Sequence, residues 1–314
     1  MNALEDFLRP KQEALFKLLQ KRFGEKAVHE KGSFLLVPGE VPVLLIAHLD
    51  TVHRSPVKTI CQSEGGTILM SPQGIGGDDR CGVYGICKVY EATEQKPWLL
   101  FTCDEEIGGK GADAFCVSYR NDFLPAELGS LKMLIELDRK GKNDAVYYGC
   151  DNPEFEEYIR GKGFKTACGS FSDISIIAPI LGVAAVNLSC GYYNAHTPHE
   201  YINRSQLKAT VRKVVEMVSD AEKPEFPKYE YIRSKRAYYY GGYGCWEDVY
   251  GDWFGYGGDM DWEDTGIPKD LPSEYRGIYE ELLDIYGPEE LLYCMKNYGV
   301  QSLRELYEYQ YGAG

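Results

Sequence analysis

The sequence lacks an excess of basic residues. Its 34 lysines and arginines are outnumbered by 48 aspartates and glutamates, which gives the 314 residues a formal net charge of −14. A chain this acidic repels phosphate groups, so nucleic acids and anionic membrane surfaces are not expected partners. The sequence also lacks any apolar run near the roughly 18 to 20 residues that a membrane span requires. We therefore expect neither a nucleic-acid-binding nor a membrane protein.

The ten cysteines include no CxxC pair, and several lie inside apolar, strand-like runs. That distribution is typical of reduced thiols and argues against a disulfide framework or a cysteine zinc site. Residues 1–24 combine apolar residues at helical spacing with charges throughout, which indicates an amphipathic helix and not a signal peptide. The prediction is a cytoplasmic protein.

Two common catalytic motifs are missing as well. No GxSxG sequence is present, which disfavours a serine hydrolase. The glycine-rich stretch GIGGDDRCG, residues 74–82, lacks the Lys-Ser/Thr ending of a phosphate-binding loop. Nucleotide binding is therefore not expected.

The chain does contain an alternation of short apolar runs and helical segments. Examples are the strand-like VPVLLIAHLD and PWLLFTCDEE and the helical NRSQLKATVRKVVEMVSDAE. Such alternation predicts an α/β fold, a three-layer α/β/α sandwich around a mostly parallel mixed sheet. A break in composition then predicts one domain over residues 1–224 and a C-terminal extension of unknown role over 225–314. The extension starts with an aromatic-rich segment and ends in three predicted short helices, broken at Gly287-Pro288 and Gly299.

Polar side chains follow several of the apolar runs. The candidates are His48, Asp50, Asp78, Asp79, Glu105, Glu106, Asp138 and His196. In an open α/β sheet the carboxyl ends of the strands line the functional crevice, so these groups are expected to converge. Converging carboxylates require a cation between them, and histidine with carboxylate oxygen is a normal ligand set for zinc. Since residues two apart on a strand point to the same side, Asp50 is expected to accept the second ring proton of His48.

The motifs AHLDTV, GGDDRCG, CDEEIGGKG, ELD and NAHTPHE, in this order, resemble those of the co-catalytic di-zinc exopeptidases, the superfamily of peptidase T, carboxypeptidase G and the di-zinc aminopeptidases. The resemblance covers about residues 35 to 218. It implies two Zn²⁺ per chain, with Co²⁺ or Mn²⁺ as alternatives. The implied ligands are His48, Asp78, Glu106, Asp138 and His196, with Asp78 bridging the two ions. Glu105 is the implied general base.

The resemblance also implies a mechanism and a substrate class. A metal-bridging water, deprotonated by Glu105, would attack the peptide bond of a short peptide. The inserted domain of the relatives has no room here, because only 58 positions separate Asp138 from His196 and 30 separate His48 from Asp78 (196 − 138 and 78 − 48). We therefore expect a catalytic core without a lid domain. Homo-oligomer formation stays open.

Other interpretations stay open beside this one. The same site could belong to a zinc-dependent deacylase of N-acyl amino acids, with Arg54, Arg80 or Arg139 holding a substrate carboxylate. The chain could also be a non-catalytic binding protein on the same fold. Asp79 could serve only as a turn or helix cap. The residues predicted to contact substrate are Arg139, Ser172, Asp173 and His199.

Overall fold

The computed structural model describes residues 3–30, 32–169, 171–234, 271–298, 300 and 302–311. The chain divides into two compact units, residues 1–247 and 248–314. Most of the aromatic-rich segment predicted at the start of the extension lies outside the described residues. The predicted domain boundary after residue 224 stays a prediction, although Tyr229 is buried in the core of the first unit and its N–H donates to the carbonyl of Lys132.

The first unit is built on one large and one small β-sheet. In chain order the strands are β1 (Val28–Glu30), β2 (Phe34–Val37), β3 (Val41–His48), β4 (Cys61–Gln62), β5 (Ile68–Met70), β6 (Pro97–Thr102), β7 (Met133–Arg139), β8 (Asp144–Val146), β9 (Lys165–Thr166), β10 (Ala185–Ser189), β11 (Tyr192–Tyr193) and β12 (Tyr201–Asn203). The large sheet has the strand order β1-β2-β6-β3-β7-β10-β8-β9, and the small one β11-β12-β5-β4. Strands β6, β3, β7 and β10 are parallel to one another.

The helices follow the strands as the alternating pattern predicts. They are α1 (Glu5–Leu8), α2 (Gln12–Phe23), α3 (Gly77–Ala92), α4 (Lys110–Arg120), α5 (Pro153–Gly161), α6 (Asp173–Leu181), α7 (Arg204–Ala221), α8 (Ser273–Tyr298) and α9 (Ser302–Tyr311). Short 3₁₀ turns cover Gly24–Lys26 and Ala126–Ser130. No helix within the described ranges is long and apolar enough to cross a membrane.

The central strands are apolar on both faces because helices cover both faces. On one face, Leu45 and Ile135 pack in a core that includes Val83 of α3 and Val214 of α7. On the other face, Ile46 and Leu134 pack with residues of α4 and α6, among them Phe115 and Ile177. The prediction of a three-layer sandwich with a mostly parallel mixed sheet is confirmed.

The second unit contains α8 and α9, which enclose a small apolar core of their own, including Tyr279, Leu282, Leu291 and Leu303. The prediction of three helices is wrong, since α8 continues through Gly287-Pro288. A proline inside a helix removes one backbone hydrogen bond, and for this reason the sequence pattern predicts a helix end at Gly287-Pro288. Here Leu282 and Leu291, on either side of the proline, are both fully buried in that core. The burial of these two leucines offsets the free-energy cost of the lost backbone hydrogen bond.

Candidate metal centre

The parallel order of β6, β3 and β7 brings the carboxyl ends of three strands to one edge of the sheet. His48 is the last residue of β3 and is fully buried. Glu105 and Glu106 follow β6, and Asp138 lies near the end of β7. Asp78 enters from the start of α3, and His196 lies in the loop between β11 and β12. Elements far apart in the sequence thus place their polar side chains together.

Asp78 lies between the two histidines. Its Oδ1 is 3.2 Å from Nε2 of His48, and its Oδ2 is 3.3 Å from Nε2 of His196. A second carboxylate approaches each ring: Asp138 Oδ1 lies 3.5 Å from Nε2 of His48, and Glu106 Oε2 lies 3.1 Å from Nε2 of His196. The result is two neighbouring sets of one histidine and two carboxylates, with Asp78 common to both.

Asp50 holds the parts of this cluster in place. Its Oδ1 is 3.2 Å from Nδ1 of His48, which orients the ring with Nε2 toward Asp78. The same carboxylate accepts the backbone N–H of Glu105 at 3.1 Å and that of Glu106 at 3.0 Å. Burial acts to raise the pKa of Asp50, but the hydrogen bond to His48 and the other interactions outweigh it and lower the pKa. One ionised side chain therefore couples the end of β3 to the loop after β6.

Glu105 is 8% exposed, and its Oε2 lies 3.8 Å from Nε2 of His48. Burial raises the pKa of Glu105 to about 9; the charge of His48 opposes the shift and that of Asp138 adds to it. Burial likewise raises the pKa of Asp138 to about 7, with the negative charge of Asp78 adding to the effect and His48 opposing it. Hydrogen bonds to Asp78 and Glu106 raise the pKa of His196 to about 10. The protein groups by themselves carry more carboxylates here than they can neutralise.

The donor set fits a divalent cation. Ligand atoms of His48, Asp78 and Glu106 lie within 4.8 Å of one another, and the buried Oε1 of Glu106 has no hydrogen-bond partner among the described residues. Histidine nitrogen and carboxylate oxygen are the ligands that zinc takes in open sites. These residues could therefore hold a metal ion.

Ligand atoms of Asp79, His48 and Asp138 also lie within 4.8 Å of one another, but both oxygens of Asp79 accept backbone hydrogen bonds. Its Oδ2 accepts the backbone N–H of His48 at 3.2 Å, and its Oδ1 accepts that of Gly82 at 3.0 Å. Burial, with the charge of Asp138 adding to it, raises the pKa of Asp79 well above its ordinary value. A carboxyl group that caps α3 and binds the end of β3 is a poor candidate ligand, so Asp78 is the better one.

Glu200 fixes the turn that carries Asp78. It is fully buried, and its two oxygens accept the N–H of Gly76 at 2.9 Å and that of Asp78 at 2.8 Å. Nε2 of His53 lies 2.7 Å from the same carboxylate. The motif NAHTPHE therefore contributes twice, because Glu200 supports Asp78 while His196 faces it.

Asn187 of β10 holds the backbone of Asp138 on both sides. Its Oδ1 accepts the N–H of Asp138 and its Nδ2 donates to the carbonyl, both at 2.9 Å. These side-chain bonds lie where the pairing of β7 with β10 shifts register, between Asn187 and Ser189. Asn187 could not be identified from the sequence, because an asparagine in an apolar strand carries no distinctive signal.

The predicted substrate residues Ser172 and Asp173 lie at the start of α6, and both are fully buried. Ser172 Oγ donates to Glu136, and Thr102 Oγ1 donates to Asp173. As placed, both side chains contact protein groups, and their role toward substrate stays a prediction. Glu136 was missed, although an acid two residues before Asp138 in an apolar strand does indicate a shared face.

Of the other two predicted substrate residues, Arg139 is half-buried and His199 is exposed. Arg139 follows Asp138 directly, and its Nε is 3.8 Å from Oδ2 of Asp144. His199 is exposed in the loop that carries His196. Arg80, by contrast, is 4% exposed and donates to the backbone carbonyls of Phe7 and Pro10, so it is not available to a substrate carboxylate.

Comparisons with known proteins agree with this architecture. No protein-family model matches the chain, and no curated protein sequence matches it significantly. Among solved structures, aminopeptidase PepT from Bacillus cereus ATCC 10987 is similar over 70% of this chain and 98% of its own, with 16% identity and a TM-score of 0.51. A tripeptidase from Staphylococcus aureus subsp. aureus Mu50 is similar over 70% and 97%, with 15% identity and a TM-score of 0.52. The TET aminopeptidase of Thaumarchaeota archaeon SCGC AB-539-E09 is similar over 68% and 96%, with 11% identity and a TM-score of 0.52. At these identities the similarity concerns the fold, and in its fold the chain matches known peptidases, as its resemblance to the di-zinc exopeptidases predicts.

Proposed function

We propose that this chain is a metallo-exopeptidase that hydrolyses a peptide bond of short peptides with two divalent cations, zinc in the first place. The observation that carries the proposal is the position of Asp78, whose two oxygens face different histidines at 3.2 and 3.3 Å. A carboxylate shared in this way is suited to bridging two ions. The fold shared with aminopeptidases and a tripeptidase supports the same function.

His48, Asp78 and Asp138 would hold one ion, and His196, Asp78 and Glu106 the other. Divalent ions in such a site lower the pKa of a water and polarise a substrate carbonyl. Asp50 keeps Nε2 of His48 directed at the centre, because it lies 3.2 Å from the other ring nitrogen. Bound cations would offset the charge of these buried carboxylates and keep them ionised.

Glu105 acts as the general base. It takes the proton of the attacking water and passes it to the leaving amine. The side chain is nearly buried, and the backbone bond from Glu105 N to Asp50 fixes the base beside the ligands. Burial raises the pKa of Glu105 to about 9, and two cations beside it would lower that pKa, so that the carboxylate is ionised and free to accept a proton.

The substrate approaches from the side of His196, whose side chain is 55% exposed, while those of Asp78 and Asp138 are 12% and 9% exposed. A recessed centre of this kind suits the end of a short peptide. A deacylase of N-acyl amino acids is the second candidate, because the half-buried Arg139 directly follows Asp138 and its guanidinium could hold a substrate carboxylate. A cytoplasmic location and a homo-oligomeric state stay predictions.

The proposal is tested by the metal content of the purified protein together with a substrate panel. We expect about two zinc ions per chain and hydrolysis that a chelator abolishes, measured on aminoacyl, dipeptide, tripeptide and N-acyl amino acid substrates. Preference for peptides supports the exopeptidase, and preference for N-acyl amino acids supports the deacylase. Zinc binding without hydrolysis of any substrate would favour a binding protein, and failure to bind metal after reconstitution would overturn the proposal.

A further prediction concerns Glu200. Glu200→Gln places an amide NH₂ against a backbone N–H, either that of Gly76 or that of Asp78, and so loosens the turn that positions Asp78. Substitutions of groups that orient a ligand typically cost about 10- to 100-fold in metal affinity. We expect a loss of this size, measured by competition with a chromogenic chelator. Glu216→Gln, the same change at an exposed position of α7, should leave the affinity unchanged. Equal affinities of the two variants would contradict the role of Glu200.

A further inference from the structure

Gln12, the first residue of α2, forms a paired hydrogen bond with Asp104, which lies 92 positions later in the chain. Nε2 of Gln12 donates to Oδ1 of Asp104 at 2.7 Å, and the backbone N–H of Asp104 donates to Oε1 of Gln12 at 3.1 Å. The amide group thus matches both a donor and an acceptor of one residue. Asp104 immediately precedes the proposed base Glu105.

The pair completes the support of the loop after β6. The N–H groups of three consecutive residues, Asp104, Glu105 and Glu106, all donate to side chains: the first to Gln12 and the next two to Asp50. Asp104 has φ 59°, in the left-handed region that non-glycine residues adopt at a cost. Such a conformation persists only where surrounding contacts impose it, and Gln12 supplies two of those contacts.

Two further hydrogen bonds connect the N-terminal segment to the start of α3, which carries Asp78. Arg80, two residues after Asp78, donates from Nη1 to the carbonyls of Phe7 at 3.0 Å and Pro10 at 2.9 Å. Phe7 is fully buried, so this segment is anchored in the core. Residues 7–12 therefore contact both the turn that carries Asp78 and the loop that carries Glu105.

We propose that Gln12 is a positioning residue for the loop after β6, which carries Glu105. The N-terminal helices α1 and α2 are then part of the catalytic apparatus and not only of the scaffold. This inference rests on the proposed function, in which Glu105 is the base. Gln12 does not touch the reacting atoms. It acts through Asp104, whose backbone sets the direction in which Glu105 leaves the strand.

The test exchanges the two partners. Gln12→Glu places a carboxylate against that of Asp104 and should lower kcat at least about tenfold with KM changed less than about twofold, because displacements near 1 Å cost up to 100-fold. Asp104→Asn alone can keep the pair, since the new amide can turn its oxygen toward Gln12, and its turnover is the reference for the double variant. The double variant, Gln12→Glu with Asp104→Asn, restores the pair in reverse, because the amide at position 104 now donates to the carboxylate at position 12. It should recover most of the turnover.

Gln20→Glu is the matched control, because Gln20 lies on the same helix and pairs with His29 outside the centre. A readout without turnover is amide hydrogen exchange, measured with each protein saturated with Zn²⁺, which should accelerate at residues 104–106 in Gln12→Glu and return to the parent rate in the double variant. Gln12→Glu with unchanged turnover and exchange, or a double variant no better than Gln12→Glu, would overturn the inference. If the parent hydrolyses nothing, the proposed function fails, and the exchange rates alone decide whether Gln12 holds the loop.

Discussion

Glu105→Gln is expected to lower kcat by about 10²- to 10⁴-fold, the usual contribution of a general base. The amide has nearly the shape of the carboxyl group but cannot take a proton from water. The backbone bond from residue 105 to Asp50 does not involve the side chain, so the loop should keep its conformation. Metal content should also stay at the parent value, because the proposed ligands are His48, Asp78, Glu106, Asp138 and His196. Elemental analysis and steady-state kinetics on the same preparation measure both quantities.

The matched control is Glu94→Gln, the same change at an exposed position between α3 and β6. This variant should have the kcat and the metal content of the parent. Turnover of metal-loaded Glu105→Gln within about twofold of the control would show that another group moves the proton. Loss of metal together with turnover would instead place Glu105 among the ligands.

The fold could be predicted from the sequence because its signal is local and repeated. Strands such as β3 and β6 are continuous apolar runs. Each is followed by polar residues at its carboxyl end, the edge at which α/β sheets form their functional crevice. His48 therefore indicated both its strand and its position at the edge. Where local propensity and tertiary burial disagree, as at Pro288 in α8, the local pattern led to the wrong prediction.

The supports of the site could not be predicted in the same way. Gln12 and Asp104 lie 92 positions apart, and a glutamine at the start of a helix is indistinguishable from a solvated one. Asn187 replaces ladder bonds only where β7 and β10 change register, a feature that no periodicity encodes. The proposed ligands are His, Asp and Glu residues that recur at the ends of several strands, whereas the residues that orient them are defined only by their hydrogen-bond partners.

The position of His196 shows the same limit on a smaller scale. The sequence placed it after the strand that is now β10, but the structure places it in the loop between β11 and β12, with φ 64°. The small sheet turns that loop back toward the centre, because β12 pairs with β5, which lies on the chain just before the turn of Asp78. The order of motifs indicated that His196 belongs to the site, while its path depends on pairings between short strands.

Asp78→Asn is expected to abolish activity and to lower the metal content from about two ions per chain to one or fewer. One oxygen of Asp78 faces each histidine, at 3.2 and 3.3 Å, so the substitution replaces an anionic oxygen of one or the other set with an NH₂ group that cannot bind a cation. The remaining oxygen is neutral and a weaker ligand. Both ions should therefore bind less tightly, which isothermal titration with Zn²⁺ measures.

Asp79→Asn separates this role from that of the neighbouring carboxyl group. The oxygens of Asp79 accept the N–H groups of His48 and Gly82, so its amide variant loses one of these bonds and about 1–3 kcal/mol of stability. It should nevertheless bind two ions at saturation, because both sets of proposed ligands are intact. The reverse result, two ions in Asp78→Asn and loss of metal in Asp79→Asn, would move the bridge to Asp79. The two adjacent aspartates thus differ in what their oxygens already bind, and that difference makes Asp78 the one expected to hold metal.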